Sequence, residues 1–161
     1  MGSGKSYWTK KIAKWIKSAG YDLDDLIEMN EEKTISEIFN EDGEDHFRKT
    51  ETKILKWFKE KKKYVLATGG GTPCNQDNMN WMKKEGIVIW LDESIDVLVS
   101  RLSNEKAHRP LIADLDQEAL AGFIQAKLLE RTPYYAQADY RLSSDQITEA
   151  GLKKIIQKHA S

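Results

Sequence analysis

A chain of 161 residues that is 40% apolar and 32% charged can bury one core and is unlike a disordered polymer. Its net charge of −1 excludes the basic excess of a nucleic-acid or anionic-membrane binder, and no apolar run has the length of a membrane span. A single cysteine, Cys74, rules out an intrachain disulfide and fits a reducing cytoplasm.

The chain opens Met1-Gly2-Ser3-Gly4-Lys5-Ser6, the back half of the phosphate-binding signature G-x-x-x-x-G-K-[ST]. The first glycine and the strand that feeds such a loop would fall before Met1. A start placed too late, or a truncated chain, is the expectation. The same residues match a myristoylation pattern, but the phosphate-loop reading uses more of them.

Ile12, Ala13, Trp15 and Ile16 recur at helical spacing, which predicts a helix from Ser6 to Ala19, stopped by Gly20. Tyr21 to Leu23 reads as a strand end. Thr34-Ile35-Ser36-Glu37 is a capping box opening a short helix to Phe39. Gly43 breaks it, and a longer helix from Glu44 carries Phe47, Ile54, Leu55 and Phe58 on one face. Tyr64 to Thr68 reads as a strand stopped by Gly69-Gly70-Gly71. A helix from Asn78 to Lys84 ends at Gly86, and Ile87 to Leu91 is an unbroken apolar strand. Ser94 to Leu102 is helical. Residues 103–116, polar and irregular at first, read as a lid. Gln117 to Tyr135 is a long helix, Tyr140 to Leu142 a brief strand, and Thr148 to His159 a final helix. Alternating strands and helices imply a single α/β domain over 1–161, with a parallel sheet between helical layers.

Four groups carry chemistry. Backbone N–H groups at a helix start hold anionic oxygens, Lys5 reaches phosphates and the Ser6 hydroxyl ligates Mg²⁺. Asp22 and Asp24 follow a strand, and alternation sends both to one side. One can hold the Mg²⁺ shell, while the other orients or deprotonates an attacking hydroxyl. Three consecutive glycines at 69–71 cost backbone entropy and suit a close approach to a ligand. Five arginines among 25 basic residues (Arg48, Arg101, Arg109, Arg131, Arg141) are candidates for bidentate anion contacts. Glu51, at i+3 from Arg48, can orient it. His46, His108 and His159 lack metal-ligand spacing, and the five tryptophans read as packing.

These residues, in this order, resemble the shikimate kinase family. The resemblance runs through residues 1–6, Asp22 to Glu28, Ile35 to Phe39, Gly43-Glu44, Phe47-Arg48, Glu51, the triple glycine, Arg109-Pro110-Leu111 and Glu130 to Tyr135. It implies a P-loop fold of the nucleoside-monophosphate-kinase kind and transfer of the ATP γ-phosphate to the 3-hydroxyl of shikimate. It further implies that Gly2, Ser3, Gly4, Lys5, Ser6, Tyr7, Arg101 and Arg109 contact ATP, Arg101 near adenine and Arg109 from the lid. Ser6 and Asp22 would hold Mg²⁺. Lys5, Asp24 and Arg109 would be catalytic, with Asp24 as base. Asp24, Arg48, Gly69, Gly70, Gly71 and Arg131 would bind shikimate, the two arginines taking its carboxylate. The adenine loop falls near Ser143 to Asp145 by position alone. The expected partners are shikimate and ATP, with no nucleic acid or membrane, and the expected state is a cytoplasmic monomer. The alternatives are a kinase of another hydroxy acid such as gluconate, or a non-catalytic nucleotide-binding relic.

Overall fold

The computed structural model describes residues 2–104, 112 and 114–159. The chain gathers into two compact units, Lys5–Gly86 and Met1–Gly4 with Ile87–Ser161.

In the Lys5–Gly86 unit, helix α1 (Lys5–Trp15) leads into strand β1 (Ala19–Asp22). The helix stops earlier than its apolar spacing predicts. Lys17 takes the left-handed conformation (φ 51°), while Ser18 N–H donates to Ala13 O at 2.9 Å and Lys17 N–H to Lys14 O at 3.3 Å. That is a Schellman stop without its usual glycine. Gly20, the predicted terminator, lies in β1 instead. A Cβ there would sit 3.1 Å from the Ala13 Cβ and 3.2 Å from Thr9 Cγ2, so the glycine lets α1 lie close against the strand.

Helices α2 (Leu23–Glu31), α3 (Ile35–Glu41) and α4 (Gly43–Lys56) form the crossover to strand β2 (Tyr64–Ala67). β2 pairs parallel with β1, Ala19 opposite Tyr64 and Asp22 opposite Ala67. A parallel partner requires such a long crossover. The helices bury Leu23, Ile27, Ile38, Phe47, Ile54 and Leu55 as one cluster. A 3₁₀ turn (Trp57–Glu60) buries Phe58 against the rings of Tyr21 in β1 and Tyr64 in β2. After β2 come the three glycines, a 3₁₀ turn (Thr72–Cys74) and helix α5 (Asn78–Glu85).

The capping box at α3 forms as its residue pattern predicts. Glu37 N–H donates to Thr34 Oγ1 at 3.2 Å and Thr34 N–H to Glu37 Oε2 at 2.7 Å. Thr34→Ala is therefore expected to cost about 1 kcal/mol. Guanidinium unfolding should show it as a lower midpoint with an unchanged slope.

In the other unit, strand β3 (Ile89–Asp92) is followed by α6 (Ile95–Ser103), α7 (Gln117–Tyr135), strand β4 (Tyr140–Ser143) and α8 (Glu149–His159). β3 and β4 pair parallel, Ile89 opposite Tyr140. Leu98, Val99, Leu102, Ile112, Leu120 and Ile124 pack α6 against α7. Ser94 caps α6 and Asp116 caps α7 through side-chain oxygens. Helix α7 runs through Pro133 and keeps the bounds read for it, Gln117 to Tyr135. The predicted single sheet is seen, among the described residues, as two parallel two-stranded pairs. Of the lid expected over 103–116, residues 105–111 and 113 lie outside the described residues.

Candidate active site

Gly2 and Gly4 have φ of 66° and 82°, backbone that side-chain-bearing residues seldom adopt. They turn the chain into α1, whose first residues are Lys5 and Ser6. The Ser6 hydroxyl donates to Asp22 Oδ2 at 2.5 Å. The other oxygen, Asp22 Oδ1, accepts the Asp24 N–H at 3.1 Å and caps α2. Asp22 is thus fixed on both oxygens, one of them against the serine that follows the lysine.

This geometry corrects one expectation. Strand alternation does not place Asp22 and Asp24 together, because the strand ends at Asp22 and Asp24 lies in the first turn of α2. What brings the two carboxyls together is the cap.

The Asp24 carboxyl is raised to about 6. Burial is the main cause, and the nearby charges of Asp22 and Glu51 add to it, while Lys5 works in the opposite direction. Such a group is largely ionised at neutral pH yet basic enough to accept a proton, the range that suits a general base.

The glycine turn and α4 complete this cluster. Glu51 is fully buried. Its Oε1 accepts the Thr72 hydroxyl at 2.6 Å and its Oε2 accepts Arg48 Nη1 at 2.9 Å. Arg48 also bonds Glu44 through Nε at 3.3 Å and lies over the Phe47 ring at 5.1 Å. A buried carboxylate is tolerable only when so paired. The i+3 pairing of Arg48 with Glu51 is therefore formed as the spacing suggests.

The glycines are explained by what lies against them. A Cβ on Gly71 would be 2.5 Å from Arg48 Nη2 and 2.7 Å from Nη1. A Cβ on Gly69 would meet Thr72 Oγ1 at 3.1 Å, Glu51 Oε1 at 3.2 Å and Asp24 Oδ1 at 3.3 Å. Asp24, Arg48, Glu51, Gly69, Gly71 and Thr72 thus converge, with Gly70 inside the same turn.

The remaining candidates divide as follows. Ser3 is buried, and the exposed Tyr7 ring lies edge-on to Trp8 at 5.1 Å. Arg101 and Arg131 belong to the second unit, on α6 and α7. Arg101 Nη1 donates to Gly2 O at 2.9 Å, and Nη2 pairs with Glu93 Oε1 at 3.0 Å. Arg131 is half-buried. Arg109 lies outside the described residues, as do His108, Pro110 and Leu111. Arg141 pairs with Asp92 and lies over the Trp90 ring at 4.6 Å.

Sequence reasoning missed Thr72 and Glu93. Thr72 had one signal, its place directly after the glycines; Glu93 had none. Among the described residues, one further group of ligand-type side chains, Glu31, Asp42 and His46, lies on the surface. Lys33 already occupies Asp42 at 2.8 Å and His46 bonds Glu31 at 2.9 Å, so the group is an ion-pair cluster.

Among the described residues, no helix is long and apolar enough to cross a membrane. A family model described as shikimate kinase matches residues 1–160. The shikimate kinase of Phocaeicola vulgatus is 39% identical over 149 residues, covering 92% of this chain and 85% of that one. The crystal structure of shikimate kinase from Bacteroides thetaiotaomicron superposes with a TM-score of 0.87 at 35% identity, covering 98% of this chain and 90% of that one. Shikimate kinase from Acinetobacter baumannii, solved in complex with shikimate, gives 0.82 at 29% identity, with 99% and 86% covered. The α/β fold with parallel strands expected from the sequence is the fold of these enzymes. By the match over 1–160 and these identities, the chain belongs to the shikimate kinase family.

Proposed function

We propose that this chain transfers the γ-phosphate of ATP to the 3-hydroxyl of shikimate, giving shikimate 3-phosphate and ADP. The observation that carries the site reading is the convergence of Asp24, its carboxyl raised to about 6, with Arg48 and the glycine turn. Such a cluster offers a base, a fixed cation and a backbone surface to a small hydroxylated anion.

Asp24 takes the proton of the attacking hydroxyl as its oxygen bonds to the γ-phosphorus. The bond from that phosphorus to the bridging oxygen breaks, and its electrons leave with ADP. Asp24 then releases its proton to solvent. Arg48, braced by Glu51 and Glu44, and Arg131 take the substrate carboxylate. Gly69, Gly70 and Gly71 line the sugar-like ring. Lys5, with the N–H groups of Gly2, Ser3, Gly4 and Ser6, holds the phosphates at the start of α1. Tyr7, Arg101 and Arg109 complete the nucleotide contacts. Little covalent work is left to the protein, so positioning and charge neutralisation supply the catalysis.

The neighbouring Ser6 hydroxyl and Asp22 carboxylate are hard oxygen donors that fit Mg²⁺, with room in its shell for phosphate oxygens and water. Bound there, Mg²⁺ would neutralise charge on the transferring phosphate. A reducing, ATP-supplied cytoplasm suits this chemistry and the single thiol.

ADP release followed with shikimate and with gluconate as acceptors tests the reading. Turnover is expected with shikimate at roughly 1–100 s⁻¹, the usual range for kinases. Turnover on gluconate with none on shikimate would sink it.

A further inference from the structure

Helix α6 meets the phosphate loop in two ways. Gly2 is packed so closely on it that a Cβ would lie 3.2 Å from Leu102 Cγ and 3.5 Å from Leu98 Cδ2. Arg101, one position before Leu102, donates from Nη1 to the Gly2 carbonyl at 2.9 Å. The second amino group of this guanidinium bonds Glu93 Oε1 at 3.0 Å. Glu93 is an odd residue to find buried. Its side chain is only 5% exposed, at the junction of β3 and α6.

Its other oxygen, Oε2, accepts the Ser144 hydroxyl at 2.6 Å. Ser144 Oγ in turn accepts the backbone N–H of Ser94 at 2.7 Å. One buried carboxylate therefore ties together the end of β3, the last turn of α6, the segment after β4 and, through Arg101, the phosphate loop. Burying a carboxylate is costly, and an apolar side chain would usually serve stability as well. A carboxylate kept there and bonded on both oxygens acts instead as a locator. It holds one amino group of the Arg101 guanidinium while the Gly2 carbonyl holds the other, and 44% of that side chain stays exposed, so a face remains open to a ligand.

We infer that Glu93 is a positioning residue for the nucleotide: held in place by Ser144 and acting through Arg101, it sets the geometry of the phosphate loop at Gly2. The inference rests on the reading of residues 2–6 as an ATP site and adds a residue to it. Glu93 touches no reacting atom in this account. Its effect should fall on nucleotide affinity and not on the acceptor.

The test is ADP binding by titration calorimetry to the full chain, beside KM values for ATP and shikimate. Glu93→Gln keeps the shape but removes the charge that holds Arg101, and should weaken ADP binding about tenfold, the size of one charge-assisted hydrogen bond. KM for shikimate should stay at its wild-type value. Because Glu93 acts through Arg101, adding Glu93→Gln to Arg101→Ala should cause no further loss. A merely structural Glu93 would instead give additive losses in the double variant, or a loss shared equally by ATP and shikimate; either result overturns the inference. So does an unchanged ADP affinity in Glu93→Gln. If Glu93→Gln fails to fold, Ser144→Ala removes one bond to the same carboxylate, and the same non-additivity with Arg101→Ala decides. A wild-type chain that binds ADP but does not phosphorylate shikimate would overturn the proposed function and leave this coupling standing. A chain that binds no ADP overturns both.

Discussion

Asp24→Asn is expected to lower kcat by about 10²–10⁴-fold, the usual contribution of a positioned general base. ADP affinity should change little, since the Asp24 N–H bond to Asp22 Oδ1 is a backbone contact that the substitution keeps. The wild-type enzyme should lose kcat/KM for shikimate as pH falls through about 6, the value to which burial, Asp22 and Glu51 raise this carboxyl. The variant should lack that acid limb. A stability signature accompanies it. A carboxyl whose folded pKa is raised contributes stability that is fully present below the unfolded value of 3.8 and is lost as pH rises through about 6. Ionised Asp24 therefore costs stability at neutral pH, by at most about 3 kcal/mol for a shift of this size. Asp24→Asn should gain over wild type in guanidinium unfolding at pH 8 and lose that gain at pH 4. A variant with near-wild-type turnover would remove Asp24 as the base.

Gly71→Ala should raise KM for shikimate by about 10–100-fold while leaving ADP affinity unchanged, because misplacing a binding group by an ångström can cost about that much. The backbone at Gly71 is ordinary, with φ −88° and ψ −14°, so the effect is steric and not conformational. The new methyl would lie 2.5–2.8 Å from the Arg48 guanidinium atoms. The guanidinium has little freedom to retreat: buried Glu51 holds Nη1, Glu44 bonds Nε, and the Phe47 ring lies beneath. Gly122→Ala, on an exposed stretch of α7 where a Cβ meets nothing within 4 Å, is the control. It should be neutral in activity and stabilising by about 0.5–1 kcal/mol. Normal shikimate kinetics in Gly71→Ala would mean that Arg48 does not read the acceptor.

Most elements were legible because their signals are local. The long helix read over 117–135 matches α7 end to end, and the Thr34/Glu37 pair announced its own cap. The errors were local too. Gly20 looked like a helix stop, but a lysine made the turn and the glycine served a helix–strand contact instead. Asp24 was assigned to a strand face, although Asp22 is the helix cap. In the first case a helix–strand contact, and in the second a capping bond two residues along the chain, overrode the ordinary meaning of the pattern.

The functional residues follow the same division. Residues adjacent in the chain announced themselves: the Gly4-Lys5-Ser6 run, the acidic pair and the glycine triplet each imply a chemistry through composition and spacing. Their order along the chain was enough to indicate the family. Arrangements that join distant positions left no trace in the sequence. Thr72 meets Glu51 across 21 residues, Glu93 meets Ser144 across 51, and Arg101 reaches Gly2 across 99. The raised carboxyl of Asp24 likewise depends on burial and on Glu51, contributed by a different helix. Residue type and spacing carry backbone preference and local chemistry, whereas desolvation and long-range hydrogen bonding exist only once the chain has folded. The kinase chemistry, its candidate base and the local Arg48–Glu51 pair could therefore be named from residues in order, but the burial that raises Asp24 and the distant partners of Arg101 could not.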